Sequence, residues 1–222
     1  MAINQLAVSA PAGRSRSFRS LLTMTGVAGA GFALSWVAGL SIPAPNPALG
    51  ASGTAILAAY AGHEGAAALS FALTEGLPAV GIAVITMALA RAVGGTRGRV
   101  LRVAGLTAAV LSLVEFVLGM VLARAQDAGS AHLLWAAIDR IDGVKMLAFA
   151  VLGAAAWFKG TAVTSKDRWL RYTGAALAVT MTGSGLVYLL LVQSLNVAAG
   201  PALLFLLVFI AGTGIALGAK AR

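Results

Sequence analysis

Six stretches of the chain stay apolar for about 20 residues, the length a helix needs to cross the hydrocarbon core of a bilayer. They run over roughly 21–41, 68–90, 103–123, 139–158, 173–193 and 199–219. Basic residues punctuate them at alternate ends. If the connections 91–102 and 159–171 and both tails share one side, that side holds 13 of the 16 Lys and Arg residues. Only Arg124, Arg140 and Lys145 fall elsewhere. Cytoplasmic loops of membrane proteins carry such an excess. The pattern predicts an all-α polytopic membrane protein, a six-transmembrane-helix bundle of three helical hairpins with both termini cytoplasmic. Residues 1–20 read as a basic cytoplasmic tail, and 21–222 as a single transmembrane domain in a cell membrane. The tail lacks a short apolar core followed by a cleavage site, so the first span is expected to be retained.

Composition removes the alternatives. Hydrophobic residues make up 59% of the chain and charged residues 10%, against about 25% charged in a soluble domain. A soluble enzyme, a disordered chain and a nucleic-acid-binding domain are excluded, although the formal net charge is +9. An outer-membrane barrel would alternate polar and apolar residues. With no cysteine there is no disulfide, thiolate ligand or cysteine nucleophile. The bilayer is the expected partner, and nucleic acid is not.

The connections on the other side differ in kind. The first opens with the Pro-rich IPAPNPALG and continues as SGTAILAAYAGHEGAAALSF. One helix from Ser52 to Arg91 would be about 60 Å long, so a break is required. Gly62 and Gly65, flanking His63 and Glu64, can supply it. A short interfacial helix is expected at 53–62. The second connection, RAQDAGSAHLLWAAIDRIDG, reads as a polar loop with an amphipathic lead-in, and the third, SLNVAAGPA, as a tight turn. RVLRVAG at 99–105 and RWLRYTG at 168–174 share an R-x-L-R-x-x-G frame, with RSLLTMTG at 19–26 as a looser copy. Each opens a span, as hairpin repeats do, although a basic entry into a span would alone produce much of this.

Six of the seven acids lie opposite the basic side, Asp167 being the exception. A charge at the bilayer centre costs at least about 2.5–3.5 kcal/mol, and such residues usually face a bundle interior or a cavity. Glu115, in AVLSLVEFVLGM, has no base nearby in sequence and is expected as a neutral acid. That makes it a candidate proton donor or, equally, a hydrogen-bonding tie between helices. Glu75 precedes Pro78, which bends a helix, and is either a cavity-wall acid or an interfacial one. Asp139, Asp142 and Lys145 recur every three residues and share a helical stripe, with Arg140 pointing elsewhere. They form either a solvated ladder or an acid pair poised against a lysine.

His63, Glu64 and His132 complete the acidic side. The histidines lack metal-type spacing, so no metal and no cofactor is expected. Trp157, Trp169 and Tyr172 read as belt residues at the basic interface. Trp36, Tyr60, Trp135 and Tyr188 either form the opposite belt or turn inward, where their faces can hold a cation. TMTGSG at 180–185 is a patch that bends its helix or draws it close to a neighbour. Gly214 and Gly218 form a G-x-x-x-G in the last span, a packing or homodimer signal. No P-loop, G-x-S-x-G, H-E-x-x-H or Asp-rich motif is present.

The basic entry, the Pro-rich loop and AAYAGHEGA resemble the small six-span membrane proteins common in high-GC actinobacteria. The chain also resembles, in size and in its intramembrane acids, the small integral-membrane terpene cyclases of indole-terpenoid and meroterpenoid pathways. Their fungal members have seven spans and an acid in the last, whereas spans five and six here carry none. The resemblance implies a protonation-initiated cyclase or isomerase acting on a lipid-soluble prenyl substrate. Glu75, Glu115, Asp139 and Asp142 would be catalytic. Trp36, Tyr60, His63, Glu64, Trp135, Lys145 and Tyr188 would line the substrate site. Two other classes stay open: a proton-coupled carrier of a small hydrophobic or cationic compound, and a non-catalytic membrane partner or sensor. The cyclase requires the acids to converge on one closed apolar pocket, the carrier a water path to both faces, and the sensor no cavity.

Overall fold

The computed structural model describes residues 13–157, 168–193 and 199–219, with side chains from residue 24 onward. The expectations for Asp167, for most of the 159–171 connection and for the turn at 194–198 lie outside the described residues. Those residues form helices and no strand. The helices are α1 (Gly13–Leu40), α2 (Gly53–Tyr60), α3 (Glu64–Phe71), α4 (Leu77–Val93), α5 (Gly95–Leu122), α6 (Ala128–Trp157), α7 (Arg168–Leu190) and α8 (Ala199–Ala219), with a π-helical turn over Ala72–Gly76 joining α3 to α4.

Among the described residues, four helical segments are long and apolar enough to cross a membrane: Glu64–Val93, α5, α7 and α8. Met24–Leu40 of α1 is a shorter apolar helix. The remaining long helix, α6, carries Asp139, Arg140, Asp142 and Lys145. The long helices turn bulky apolar side chains outward, among them Leu34, Val80, Val117, Val151, Val179 and Leu204. Such a surface suits hydrocarbon rather than water.

The long helices close a ring in chain order. α1 packs on α4, α4 on α5, α5 on α6, α6 on α7, α7 on α8, and α8 returns to α1. Small residues set the closest approaches. A Cβ on Gly153 of α6 would fall on the Gly174 carbonyl of α7, and one on Gly143 would crowd Gly185. The TMTGSG patch thus draws α7 onto α6. The repeated frame acquires a physical meaning in the same way: Gly105 seats α5 against Thr86 of α4, as Gly174 seats α7 against Gly153. Gly214 meets Gly29, and Gly218 meets Gly26, so α1 of the same chain covers the G-x-x-x-G face.

Three boundaries differ from expectation. Helix α1 begins at Gly13, inside the expected tail. The amphipathic lead-in and the fourth span are one unbroken helix, α6, whose 30 residues extend about 45 Å. Asp127 starts it, accepting the Ser130 N–H at 2.8 Å. Helix α7 ends early, at Leu190, where the next residue, Leu191, turns to φ 54. The expected interfacial helix forms as α2, capped by Ser52, whose hydroxyl accepts the Ala55 N–H at 3.3 Å. The turn into α3 passes through Gly62 at φ 75, a conformation glycine adopts without strain.

Candidate functional site

Pro78 has no N–H, so the carbonyl one turn earlier loses its helical partner. The backbone responds with the π turn Ala72–Gly76, closed by the Leu77 N–H donating to the Ala72 carbonyl. Glu75 rides on this turn and points into the bundle. Such π turns often re-aim side chains at functional sites. The Ser112 hydroxyl of α5 hydrogen-bonds to the Glu75 carboxyl. One turn further along α5, Glu115 enters the same space.

Lys145 joins them from α6. It is 5% exposed; its Nζ donates to Glu75 Oε2 at 2.7 Å and to Glu115 Oε2, and pairs with the Asp142 carboxylate, Oδ1 at 3.0 Å. Glu115, which has no base nearby in sequence, thus meets one in space. Its base lies 30 residues away in sequence, across a helix–helix contact that periodicity within one helix cannot register. Lys145, expected at the substrate surface, lines a recess of the bundle and is also the hub of a buried ion cluster. The stripe of Asp139, Asp142 and Lys145 faces inward. Arg140 points out, its guanidinium reaching back to the Ala136 carbonyl at 3.4 Å.

Asp139 is 2% exposed and accepts the Gly50 N–H. This contact is one of a series that ties the Pro-rich segment onto α6. Trp135 Nε1 donates to the Ala48 carbonyl at 3.1 Å, and His132 Nδ1 donates to the Ala51 carbonyl at 3.0 Å. Residues 132, 135 and 139 lie on one helical face. From the end of α7, Gln193 Oε1 accepts the Leu49 N–H at 2.9 Å. The segment 42–49 is thereby held over the end of the bundle.

Beneath it lies a cavity of about 640 Å³. Glu75, Glu115, Asp139 and Asp142 all line it, as do Trp36, Tyr60, Trp135 and Tyr188. The four aromatics expected as a belt or as pocket walls thus turn inward. Burial, aided by the charge of Asp139, pushes the Tyr60 hydroxyl above the usual phenol range, so it stays a neutral donor. A smaller recess of about 150 Å³ abuts the cavity and shares Trp36, Glu75, Asp142 and Tyr188 with it. Its far wall is Ile82, Met146, Phe149, Met181 and Leu206. Toward the opposite end the ring is filled by Ile85, Leu89, Leu101, Leu152, Leu177 and Phe209.

Two expected substrate contacts are not brought in. His63 and Glu64 are exposed and serve their own turn: His63 Nδ1 donates to the Ala61 carbonyl at 3.1 Å, and Glu64 Oε1 accepts the Gly62 N–H at 3.0 Å. His132 is exposed and used as a tether. At the basic end Trp157 and Tyr172 are exposed, whereas the Trp169 ring lies against Gly212 of α8. Ser112 and Gln193 were not anticipated. Ser112 stands three residues before Glu115, the spacing of one helical face, and was legible; Gln193 carries no such signal.

The site is a carboxyl-rich cluster around one ammonium, walled by aromatic rings and opening toward one end of the bundle. Comparison with protein-family models, curated proteins and solved structures finds no match, so what the site does is argued from its own geometry.

Proposed function

We propose that the chain spans the membrane six times with both termini cytoplasmic, and that its cavity carries out protonation-initiated cyclisation or isomerisation of a lipid-soluble prenyl substrate. The observation that carries this reading is convergence. Four acids from three elements share one aromatic-walled cavity whose far end is packed shut. Fully ionised, the four carboxylates and Lys145 would sum to −3, and an apolar surround makes such an excess costly. Charge balance is met most cheaply by protons held on the carboxyls, which is the stock a general acid draws on.

The step is balanced without a co-reactant. A carboxyl of Glu75 or Glu115 gives its proton to an alkene carbon, and the π pair forms the new C–H bond. The resulting cation, held against the faces of Trp36, Tyr60, Trp135 or Tyr188, is attacked by a second alkene. Asp139 or Asp142 then takes the proton lost on closing the final double bond, and the product is an isomer of the substrate. The resemblance to the integral-membrane terpene cyclases points the same way.

The test incubates purified protein with a panel of linear prenylated alkenes and epoxides, reading products by mass and retention time. Isomeric products from wild type, lost in folded Glu115→Gln, are expected. No product, with proton-dependent uptake into vesicles, would replace this reading with a carrier, a class also suited by the acid excess around Lys145. Silence in both assays would favour the partner or sensor class, against which the cavity weighs. Orientation is tested with single cysteines in this cysteine-free chain. Ala61→Cys should react with an impermeant maleimide in intact cells, and Thr96→Cys only after permeabilisation.

A further inference from the structure

We infer that the recess beside the cavity is a blind shaft that seats the apolar end of the substrate, and that Ile82, Phe149 and Met181 at its floor set which part of the substrate chain meets Glu75. The inference rests on the proposed function for the reaction carried out above it. Three helices each line the recess twice, seven residues apart: α4 with Glu75 and Ile82, α6 with Asp142 and Phe149, α7 with Tyr188 and Met181. Seven residues are two turns along one helical face, so the shaft is about 10 Å deep. Glu75, Asp142 and Tyr188 also line the larger cavity and mark the mouth. Ile82, Phe149 and Met181 line the recess alone and are each 2% exposed. Beyond them the ring is filled by Ile85, Leu89, Leu152, Leu177 and Phe209, which closes the shaft.

The chemistry of the walls changes along this depth. Polar groups at the mouth are tied to one another, Ser112 and Lys145 to Glu75, and Lys145 to Asp142. The described floor residues offer no hydrogen-bonding side chain, so a polar end would arrive there unpaired, which is costly. Close-packed interiors hold few spaces larger than a water molecule. An apolar one of about 150 Å³ suits an apolar occupant. A chain arriving from lipid gains no hydrophobic energy on leaving it. What it gains is close contact with walls on all sides, which loose lipid tails do not give. Met146 and Met181, unbranched and polarizable, mould to that occupant. With its end on the floor, a prenyl chain buries its terminal double bond and presents an internal one to Glu75.

The test uses two photoreactive fatty alcohols with the full chain in phosphatidylcholine nanodiscs. One carries a diazirine beside its methyl end, the other beside its hydroxyl, and adducts are mapped by peptide mass spectrometry. The methyl-end probe is expected to label Phe149, Met181 or Leu206, and excess decanol to suppress that labelling. The hydroxyl-end probe is expected on Trp36 or Tyr188 at the mouth. Outward side chains such as Val179 and Leu204 take both probes from the lipid without suppression. Ala202 lies on the recess wall and is 1% exposed. Ala202→Leu fills the shaft and is expected to cut floor labelling by about tenfold or more, with that of Val179 unchanged. Floor labelling by the hydroxyl-end probe, floor labelling that decanol leaves untouched, or none at all would overturn the inference. So would unchanged floor labelling in folded Ala202→Leu, and the wild-type pattern decides alone if that variant fails to fold. Suppressible floor labelling without turnover of any prenyl compound would sink the catalytic reading alone. Turnover that places solvent deuterium on the terminal alkene, with no floor labelling, would sink this inference alone.

Discussion

Lys145→Met removes the ammonium at the hub of the ion cluster and keeps an apolar stem of similar length. Three carboxyl oxygens then lose their common donor, Glu75 Oε2, Glu115 Oε2 and Asp142 Oδ1. Their losses are unequal. The Asp142 side chain is 22% exposed and can turn to water, and Glu75 keeps the Ser112 hydroxyl. Glu115 keeps nothing, since its other oxygen has no partner. Removing one member of a buried ion pair costs about 3–5 kcal/mol. The relief open to Asp142 and Glu75 places the expected loss near the lower end, about 3 kcal/mol. Adding Glu115→Gln removes the group left most exposed to that loss. The double variant is expected to be more stable than the sum of the two single changes by about 1–2 kcal/mol, within the range of coupled contacting pairs. The assay is reversible unfolding in mixed micelles against rising dodecyl sulfate, followed by tryptophan fluorescence. A loss below about 1 kcal/mol in Lys145→Met, the worth of an exposed pair, or strict additivity in the double variant, would refute the cluster as the buried hub of the site.

Other outcomes follow from the packing and the tethers. Gly153→Ala places a methyl group on the Gly174 carbonyl and should cost about 1–3 kcal/mol. Gly183→Ala meets open space and should be neutral or gain up to about 1 kcal/mol; the reverse order in the unfolding assay would contradict the α6–α7 seam. Trp135→Phe leaves the Ala48 carbonyl without its donor and should cost about 1–3 kcal/mol. It should also speed amide exchange over 44–51, and unchanged exchange there would show that the tether does not hold the segment. Asp127 caps α6, and the Ser130 N–H holds its carboxyl below the ordinary value of 3.8. A lowered folded-state value means that its stabilisation is present above the unfolded-state value and lost as pH falls through the folded one. Amide exchange of the first turn of α6 should therefore rise in strong acid in wild type, and be raised with no such acid dependence in Asp127→Ala.

The parts of this architecture written along the chain were legible in it. Apolar runs marked the long helices, and Gly62 and Pro78 marked the turn after α2 and the distortion that carries Glu75. That Asp139, Asp142 and Lys145 share a stripe followed from helical spacing; that the stripe faces inward did not. What lay between helices was not legible. Lys145 meets Glu75 and Glu115 across 70 and 30 residues, and no periodicity within α5 or α6 encodes that meeting. The same holds for the stitching of Ala48, Gly50 and Ala51 onto α6, which makes His132 a tether. His63 and Glu64 misled because residues that satisfy their own turn have the same composition as residues that bind a ligand. The amphipathic lead-in to the fourth span reads as a separate segment, yet Asp127 caps it and α2 packs on it, so it runs into α6 without a break.

The most direct measurement of the central claim is deuterium incorporation during turnover of a linear polyprenyl alkene in heavy water. Protonation of an alkene carbon by a cavity carboxyl leaves one solvent-derived hydrogen on that carbon for good. A cyclised or isomerised product carrying one such deuterium is expected, formed by wild type and absent with Glu75→Gln and Glu115→Gln variants that remain folded. A product free of deuterium, or one formed equally well by both variants, would contradict it.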